Sequence, residues 1–433
     1  MASSASFVVA SVTSAIISDV LAGWLVFEEG KTWREAEADV AEAIDFCKMY
    51  GLAAHDLADR NPLAPFQYPG EAARMEYLPR GVVSVISPWN FIALEVGMKA
   101  AALVTGNAAI VKPSRQLSRT SSITNDIFYE AGVPREVLIQ LPGSGSALGL
   151  ALVEHPDIAM VTFTGSWAVG SGIAALAGKH TKKFIGEFGG KGAVIILDDA
   201  DPDMAIYAAL RSAFSHAGQK CSAGSRLIVT PGIRDEILPR LEHAVADILV
   251  GDPIDPGVFY GPVIDEKAFR EIERYMQIGK EEGEVLVEGG PAQEGGYFLR
   301  PAVFAGVNPE ARVAQEEIFG PVLAVQYADS PNHAVWLANQ TPYALTAGVY
   351  TQDIQLRRSI GRRLRAGQVY VNRPGGITGA LVGAHSFGAL GASRSGTGEA
   401  DKTGTPWHIL SYVTGQTIVD GLVMAGHIEE NLS

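Results

Sequence analysis

A chain of 433 residues, 47% hydrophobic and 19% charged, has ordinary globular composition and length enough for two or three domains. Its net charge of −14 argues against nucleic acid as a partner, and solubility is the simplest reading of the acid excess. Two cysteines, Cys47 and Cys221, make neither a disulfide framework nor a zinc set, and a free thiol suits the reducing cytoplasm expected for this chain.

Residues 7–27 are apolar, but Asp19 and several serines and threonines interrupt them, and no Lys or Arg precedes Lys31. The stretch lacks the basic start of a signal peptide and the unbroken run of a spanning helix, so a buried helix is expected and no membrane partner. Trp33, Ala36, Val40, Ala43, Ile44, Cys47 and Tyr50 recur at helical spacing and predict a helix over 31–58, with Cys47 on its core face and Glu42 beside the stripe. A proline-rich connector over 61–70 leads to a strand at 81–86, which runs into Ser87-Pro88-Trp89-Asn90-Phe91. An amide at a strand exit can donate to a developing oxyanion, though a plain turn asparagine has the same sequence.

A helix through Leu103, a strand over 107–112, a helix near 121–131 and a strand over 137–141 follow. This βαβα alternation predicts a parallel sheet covered on both faces. Lys112 ends one strand, at the carboxyl edge where ligands bind in open α/β folds. Residues 142–149 are glycine-rich, but their G-x-G-x-x-x-G spacing is not the dinucleotide fingerprint. Phe163-Thr164-Gly165-Ser166 joins a strand over 158–163 to a helix whose free N–H groups could hold a pyrophosphate. Capping by Ser166 is compatible with the same sequence.

Glu187-Phe188-Gly189-Gly190-Lys191 carries a carboxylate into a Gly-Gly bend before a strand over 193–197, a position suited to a base or to a solvated turn. Asp198, Asp199, Asp201 and Asp203 precede a helix over 204–214 and favour its start. With no ligand spacing among the histidines, no metal is expected. In Gly218-Gln219-Lys220-Cys221-Ser222-Ala223 the cysteine sits in a bend beside a lysine. A nucleophilic thiolate needs a partly exposed, electropositive pocket, whereas a core cysteine needs none. A strand at 226–229, helices at 235–250 and 266–282 and a strand at 322–326 form a second αβ series. Basic residues over 357–365 read as a solvated helix face.

In this order, Asn90 of P-W-N-F, Glu187 of E-x-G-G-K and Cys221 of G-Q-x-C resemble the aldehyde dehydrogenase superfamily. Lys112-Pro113-Ser114, Phe163-Thr164-Gly165-Ser166, Glu317-Ile318-Phe319-Gly320-Pro321 and Phe387-Gly388 extend the resemblance over about residues 29–398. Gly30-Lys31-Thr32-Trp33-Arg34-Glu35-Ala36, Glu42-Ala43-Ile44-Asp45-Phe46, Gln219 to Ala223 and Thr378 to Gly383 are similar to the branch acting on L-glutamate 5-semialdehyde, which equilibrates with 1-pyrroline-5-carboxylate.

The resemblance implies an α/β fold: a Rossmann-type NAD(P)-binding domain (1–60 and 80–188), a catalytic domain (189–404) and a small oligomerisation element (61–79 and 405–425) joining a homo-oligomer. It implies NAD as cofactor, with NADP possible, held by Lys112, Ser114, Arg115, Gly165, Ser166, Glu317 and Phe319. Cys221 would attack the aldehyde, Asn90 and the Cys221 N–H would hold the oxyanion, and Glu187 would activate water. Glu42, Phe91, Ser222, Gly379, Ala380 and Phe387 would contact the substrate. Arg115 stands where many members carry a glutamate that accepts from the ribose.

The chain departs from the family in Ile92, which replaces a proline, and in Ala384 to Ala389, where Q-P-F-G-G is usual. The segment before Gly30 is short for the family, so exposed apolar surface and association are expected. Another small aldehyde, acyl transfer to a thiol (opposed by the presence of Glu187) and an inactive assembly partner are the alternative readings.

Overall fold

The structure, a computed structural model, describes residues 13–15, 17–58, 68–379, 381–398 and 402–421. Ala380 and the parts of the expected domains within 1–12, 59–67, 399–401 and 422–425 lie outside the described residues.

Strand β1 (Glu71–Pro79) pairs antiparallel with the last strand, β16 (Val413–Gly421), in a two-stranded ribbon apart from the main sheets. The first main sheet contains β2 (Val82–Ile86), β3 (Ala108–Lys112), β4 (Leu138–Gln140), β5 (Ile158–Thr164) and β6 (Lys183–Glu187). Its order is β4-β3-β2-β5-β6 and every pair is parallel.

The second main sheet contains β7 (Ala193–Ile196), β8 (Arg226–Val229), β9 (Glu284–Val287), β12 (Ala302–Ala305), β13 (Val322–Tyr327), β14 (Thr346–Tyr350) and β15 (Gln368–Val371). A minor hairpin of β10 (Gly290–Pro291) and β11 (Leu299–Arg300) precedes β12. The order is β15-β14-β7-β8-β13-β12-β9, parallel except where β9 meets β12. Strands such as Val-Val-Ser-Val-Ile and Ala-Val-Ile-Ile are apolar on both faces because helices cover both sides of each sheet.

The helix Ile92–Val104 is buried all round. Its two charges pair with each other (Lys99 Nζ to Glu95 Oε1, 3.2 Å), and Ser87, Ser121, Thr124 and Asn125 supply further hydrogen bonds. The helix Trp33–Ala58 packs across it at Gly97, where a β-carbon would press on the Phe46 ring. Cys47 lies in this core, as its place on the apolar stripe predicts, and burial pushes its thiol up to about 12.

Two expectations need correction. The apolar stretch near residue 20 forms a helix, Ser18–Glu29, that is buried on one side only. Leu21, Ala22, Leu25 and Val26 face the core, while Phe27 is 82% exposed. Among the described residues no helix is long and apolar enough to cross a membrane. The helix expected from 235 starts at Pro231, where proline at the first position loses no hydrogen bond, and it ends at Ala246. Of the aspartates before residue 204, Asp201 caps the helix Pro202–Phe214, the helix-start role expected of this cluster; Asp198 accepts from Gly232 N–H, Asp199 accepts from Gln352 and Asp353 N–H, and Asp203 pairs with Arg240.

Parallel pairing decides where the motifs meet. Asn90, Lys112, Gly165 and Glu187 all lie at or just beyond the carboxyl ends of first-sheet strands. Lys191, Cys221 and Glu317 all precede strands of the second sheet. The two groups therefore face each other between one sheet's carboxyl edge and the other's amino edge.

Candidate active site

The cysteine turn begins where the helix Pro202–Phe214 stops. His216 (φ 52°), Ala217 (φ 54°) and Gly218 (φ 70°) are all left-handed. Such a conformation costs a non-glycine residue about 1–3 kcal/mol, so tertiary contacts must impose it on His216 and Ala217. Gly218 is required twice over, since a β-carbon there would also overlap the Gly320 carbonyl. Gln219 then fixes the turn. Its Oε1 accepts Ile264 N–H (2.9 Å), and its backbone carbonyl accepts from Asn90 Nδ2 (2.9 Å). The asparagine amide is thus tied to the backbone two residues before Cys221.

Three loops converge here. A β-carbon on Gly190 would overlap the Cys221 carbonyl oxygen, and one on Gly189 would overlap the Glu317 carboxylate. Glu317 Oε1 accepts Gly190 N–H at 2.9 Å. The Gly-Gly pair is needed for close approach rather than for unusual torsions. Gly190→Ala is accordingly expected to destabilise the fold by about 3 kcal/mol, because backbone, not a flexible side chain, would have to move. Thermal or urea unfolding checks this, and an unchanged midpoint would contradict it. Glu187, the last residue of β6, is buried. Its carbonyl accepts Gly165 N–H (3.1 Å), and its carboxylate lies against Gly388, where a β-carbon would sit 2.8 Å from Oε1.

The profile of the aldehyde dehydrogenase family matches residues 12–418. The chain belongs to the aldehyde dehydrogenase family. This aldehyde dehydrogenase is 41% identical over 402 residues to the 1-pyrroline-5-carboxylate dehydrogenase of Geobacillus thermodenitrificans, with 91% of this chain and 76% of that one covered. Among solved structures it is similar to 1-pyrroline-5-carboxylate dehydrogenase from Thermus with bound NAD (TM-score 0.92, 38% identity, 96% of this chain and 81% of that chain). It is also similar to betaine aldehyde dehydrogenase from Staphylococcus aureus in complex with NAD+ (TM-score 0.90, 28% identity, 98% and 84%). The α/β aldehyde dehydrogenase fold expected from the motifs is the fold observed.

The electrostatics of this aldehyde dehydrogenase decide where the lysine beside Cys221 points. Lys220 adjoins Cys221 in sequence, but its ammonium lies 3.2 Å from Glu35 and 5.7 Å from the Phe91 ring centroid. The charges that act on the thiol are carboxylates. Burial pushes Cys221 up to about 12, and Glu317 and Glu187 add to the rise. Burial also raises Glu317 to about 7 and lowers Lys191 to about 7, Arg226 adding to the latter. Alkylation of Cys221 in the free protein should therefore rise about tenfold per pH unit from pH 7 to 9 without levelling off. Glu317→Gln should accelerate it, because removing a negative neighbour favours thiolate. A plateau at pH 8, measured with iodoacetamide, would contradict this account.

The remaining candidates fall into two groups. Phe91 lies between two ammonium groups, 4.4 Å from Lys31 and 5.7 Å from Lys220. Glu42, raised to about 8 by burial and by Asp39, interacts with Lys31 and Lys220, and its charge reaches Tyr370. The Tyr370 hydroxyl donates to the carbonyl of Gly379, which is left-handed (φ 73°). Ser222 is buried behind the turn, its carbonyl accepting from Thr346 Oγ1, and Phe387 N–H donates to Thr403 (2.7 Å).

On the other side, Lys112 Nζ donates to Pro113 O (2.9 Å), and Ser114 Oγ donates to Gln116 Oε1 (2.6 Å). Arg115 is exposed on the short turn that follows. Ser166 occupies the N-cap position of the helix Trp167–Lys179 but makes no side-chain capping bond, so that alternative is not realised. Residues 166–169 are exposed, which leaves the first-turn N–H groups open to an anion. Phe319 is left-handed (φ 58°) and meets Trp89, the neighbour of Asn90, edge to face at 5.6 Å.

Sequence reasoning missed Gln219 and the buried group Glu29, Lys31, Asp39 and His216. One signal was readable: Asp39 sits on the same helical stripe as Ala36, Val40 and Ala43, where an apolar residue is expected.

Proposed function

We propose that this aldehyde dehydrogenase oxidises L-glutamate 5-semialdehyde to L-glutamate through a thioester on Cys221, with NAD or NADP as hydride acceptor. The reading is carried by one observation: the Asn90 amide, the Glu187 strand end and the Cys221 turn meet through Gln219 and Gly190.

The open N-terminus of the helix Trp167–Lys179, with Gly165 and Ser166 before it, fits a pyrophosphate, and Lys112 lies at the same sheet edge. Lys112, Ser114, Gly165, Ser166, Glu317 and Phe319 would hold the dinucleotide, with Arg115 near the ribose. Bound there, its nicotinamide supplies the hydride acceptor. The Cys221 thiol gives up its proton to solvent, and the thiolate adds to the aldehyde carbon. Asn90 Nδ2–H and Cys221 N–H hold the oxygen as its charge develops. Loss of hydride from that carbon leaves the thioester. Glu187 then deprotonates water, which attacks the acyl carbon and expels the thiolate.

The substrate carries an α-ammonium and an α-carboxylate. Glu42 suits the first. Ser222 and Gly379 would face the second, and Phe91 and Phe387 would pack on the chain between. The identities of 41% and 38% to 1-pyrroline-5-carboxylate dehydrogenases, against 28% to betaine aldehyde dehydrogenase, support this choice. The five-stranded sheet would carry the cofactor and the seven-stranded sheet the catalytic cysteine. The β1–β16 ribbon, largely exposed, would join copies in a homo-oligomer.

An NAD(P)H assay over a panel of aldehydes tests the reading. The expected kcat/KM with 1-pyrroline-5-carboxylate exceeds that with betaine aldehyde or acetaldehyde by about 10²-fold. No NAD(P)H with any aldehyde, or preference for another aldehyde, would overturn it. The same assay reads Arg115, whose guanidinium can pair with a 2′-phosphate. NADP should be accepted, and Arg115→Glu should lower the NADP/NAD ratio of kcat/KM about tenfold. An unchanged ratio would mean that Arg115 does not read the ribose.

A further inference from the structure

We propose that Asp39, paired with Lys31, is a positioning residue of this active site: it caps the helix that follows Phe91 and thereby sets the Asn90 amide against the cysteine turn. The inference rests on the reading of Asn90 as oxyanion donor.

Asp39 belongs to the helix Trp33–Ala58 and is 1% exposed. Its Oδ2 accepts Ile92 N–H (3.1 Å) and its Oδ1 accepts Ala93 N–H (2.9 Å). These are the first two N–H groups of the helix Ile92–Val104, which need a partner from outside the helix. The residue at its N-cap position is Phe91, which has no oxygen to offer and makes no side-chain capping bond. A serine or aspartate at 91 would supply the cap locally. Here that position carries an aromatic ring set beside the Lys31 ammonium, and the cap comes from a residue 53 positions away.

Lys31 completes the arrangement. It is buried, its ammonium pairs with Asp39 and with Glu29 Oε2 (2.8 Å), and it lies 4.4 Å from the Phe91 ring centroid. Phe91 is therefore held at its ring and through the backbone just after it. Asn90, one residue earlier, reaches the Gln219 carbonyl at 2.9 Å. The same buried group touches the nucleophile side, since Glu29 Oε2 lies 3.8 Å from Nε2 of His216 in the left-handed turn. A buried ion pair gains little stability over apolar packing of the same volume, so stability alone does not account for charges in this position.

A double-mutant cycle in the intact 433-residue chain tests this, with kcat and KM measured for Asp39→Ala, Asn90→Ala and the double variant. Asp39→Ala should lower kcat about 30-fold while KM stays within about threefold. Asn90→Ala alone should cost about 10²–10³ in kcat, but only a few-fold more once Asp39 is gone, because both changes remove one interaction. Asp39→Asn, which keeps an acceptor oxygen, should restore activity to within about fivefold of wild type.

Multiplying effects of the two substitutions, or a lowered melting temperature with kcat intact, would overturn the proposal. If Asn90→Ala leaves kcat intact, the oxyanion reading itself falls, and the proposal with it. If Asp39→Ala is insoluble, the cycle is run with Asp39→Asn: non-additivity with Asn90→Ala supports the proposal and additivity overturns it.

Discussion

Exchange of Cys221 for serine is expected to lower aldehyde oxidation by at least about 10⁴-fold, since the reaction needs a nucleophile that ionises. The surroundings leave no room for a weaker acid. Burial and the carboxylates of Glu317 and Glu187 already push the thiol up to about 12, and a hydroxyl in the same place stays protonated. The change is nearly isosteric at a partly exposed residue whose turn is held by Gln219 and Gly218 rather than by sulfur. Thermal unfolding should therefore be almost unchanged. Activity close to wild type in an NADH assay would remove Cys221 as nucleophile.

Glu187→Gln should separate the two halves of the reaction. The amide has the shape of the carboxylate and fits against Gly388 and Gly396, so the strand end and its bond to Gly165 should persist. It cannot take a proton from water. The expected result is a rapid burst of NADH, close to one per site, followed by a steady state about 10²–10³-fold slower than wild type. Loss of the burst with an unaffected steady state would show that Glu187 is not the deacylation base. The burst also bears on the thiol proton: if Glu187 alone accepts it, the burst itself slows, and the ratio of the two rates apportions the roles.

The motifs lie on short local signals, and those signals were readable. Apolar runs with glycine and proline between them placed β2, β3, β5 and β7, and parallel pairing then put Asn90, Lys112, Gly165 and Glu187 on one edge. What sequence could not show was set by contacts between distant residues. Nothing in Ser-His-Ala-Gly requires left-handed backbone at His216 and Ala217, which only contacts from elsewhere in the fold can impose. Lys220 adjoins Cys221, but adjacency left open where its ammonium points, and it turns to Glu35, 185 positions away. The helix around residue 20 misled for a related reason: its composition suggests full burial, yet only one face meets the core. Asp39 stands out only as a carboxylate on an apolar stripe, and its role is legible only once the structure shows two backbone N–H groups aimed at it.

The central claim is a covalent thioester on Cys221, and the slow hydrolysis expected of Glu187→Gln allows it to be seen. The variant would be mixed with NAD and 1-pyrroline-5-carboxylate, quenched in acid within the burst, and analysed by intact-protein and peptide mass spectrometry. The account predicts a gain equal to one glutamyl acyl group, confined to the peptide that contains Cys221 and absent when NAD is omitted. An unmodified Cys221 peptide from protein that has formed a full burst of NADH, or the acyl group on another residue, would contradict it.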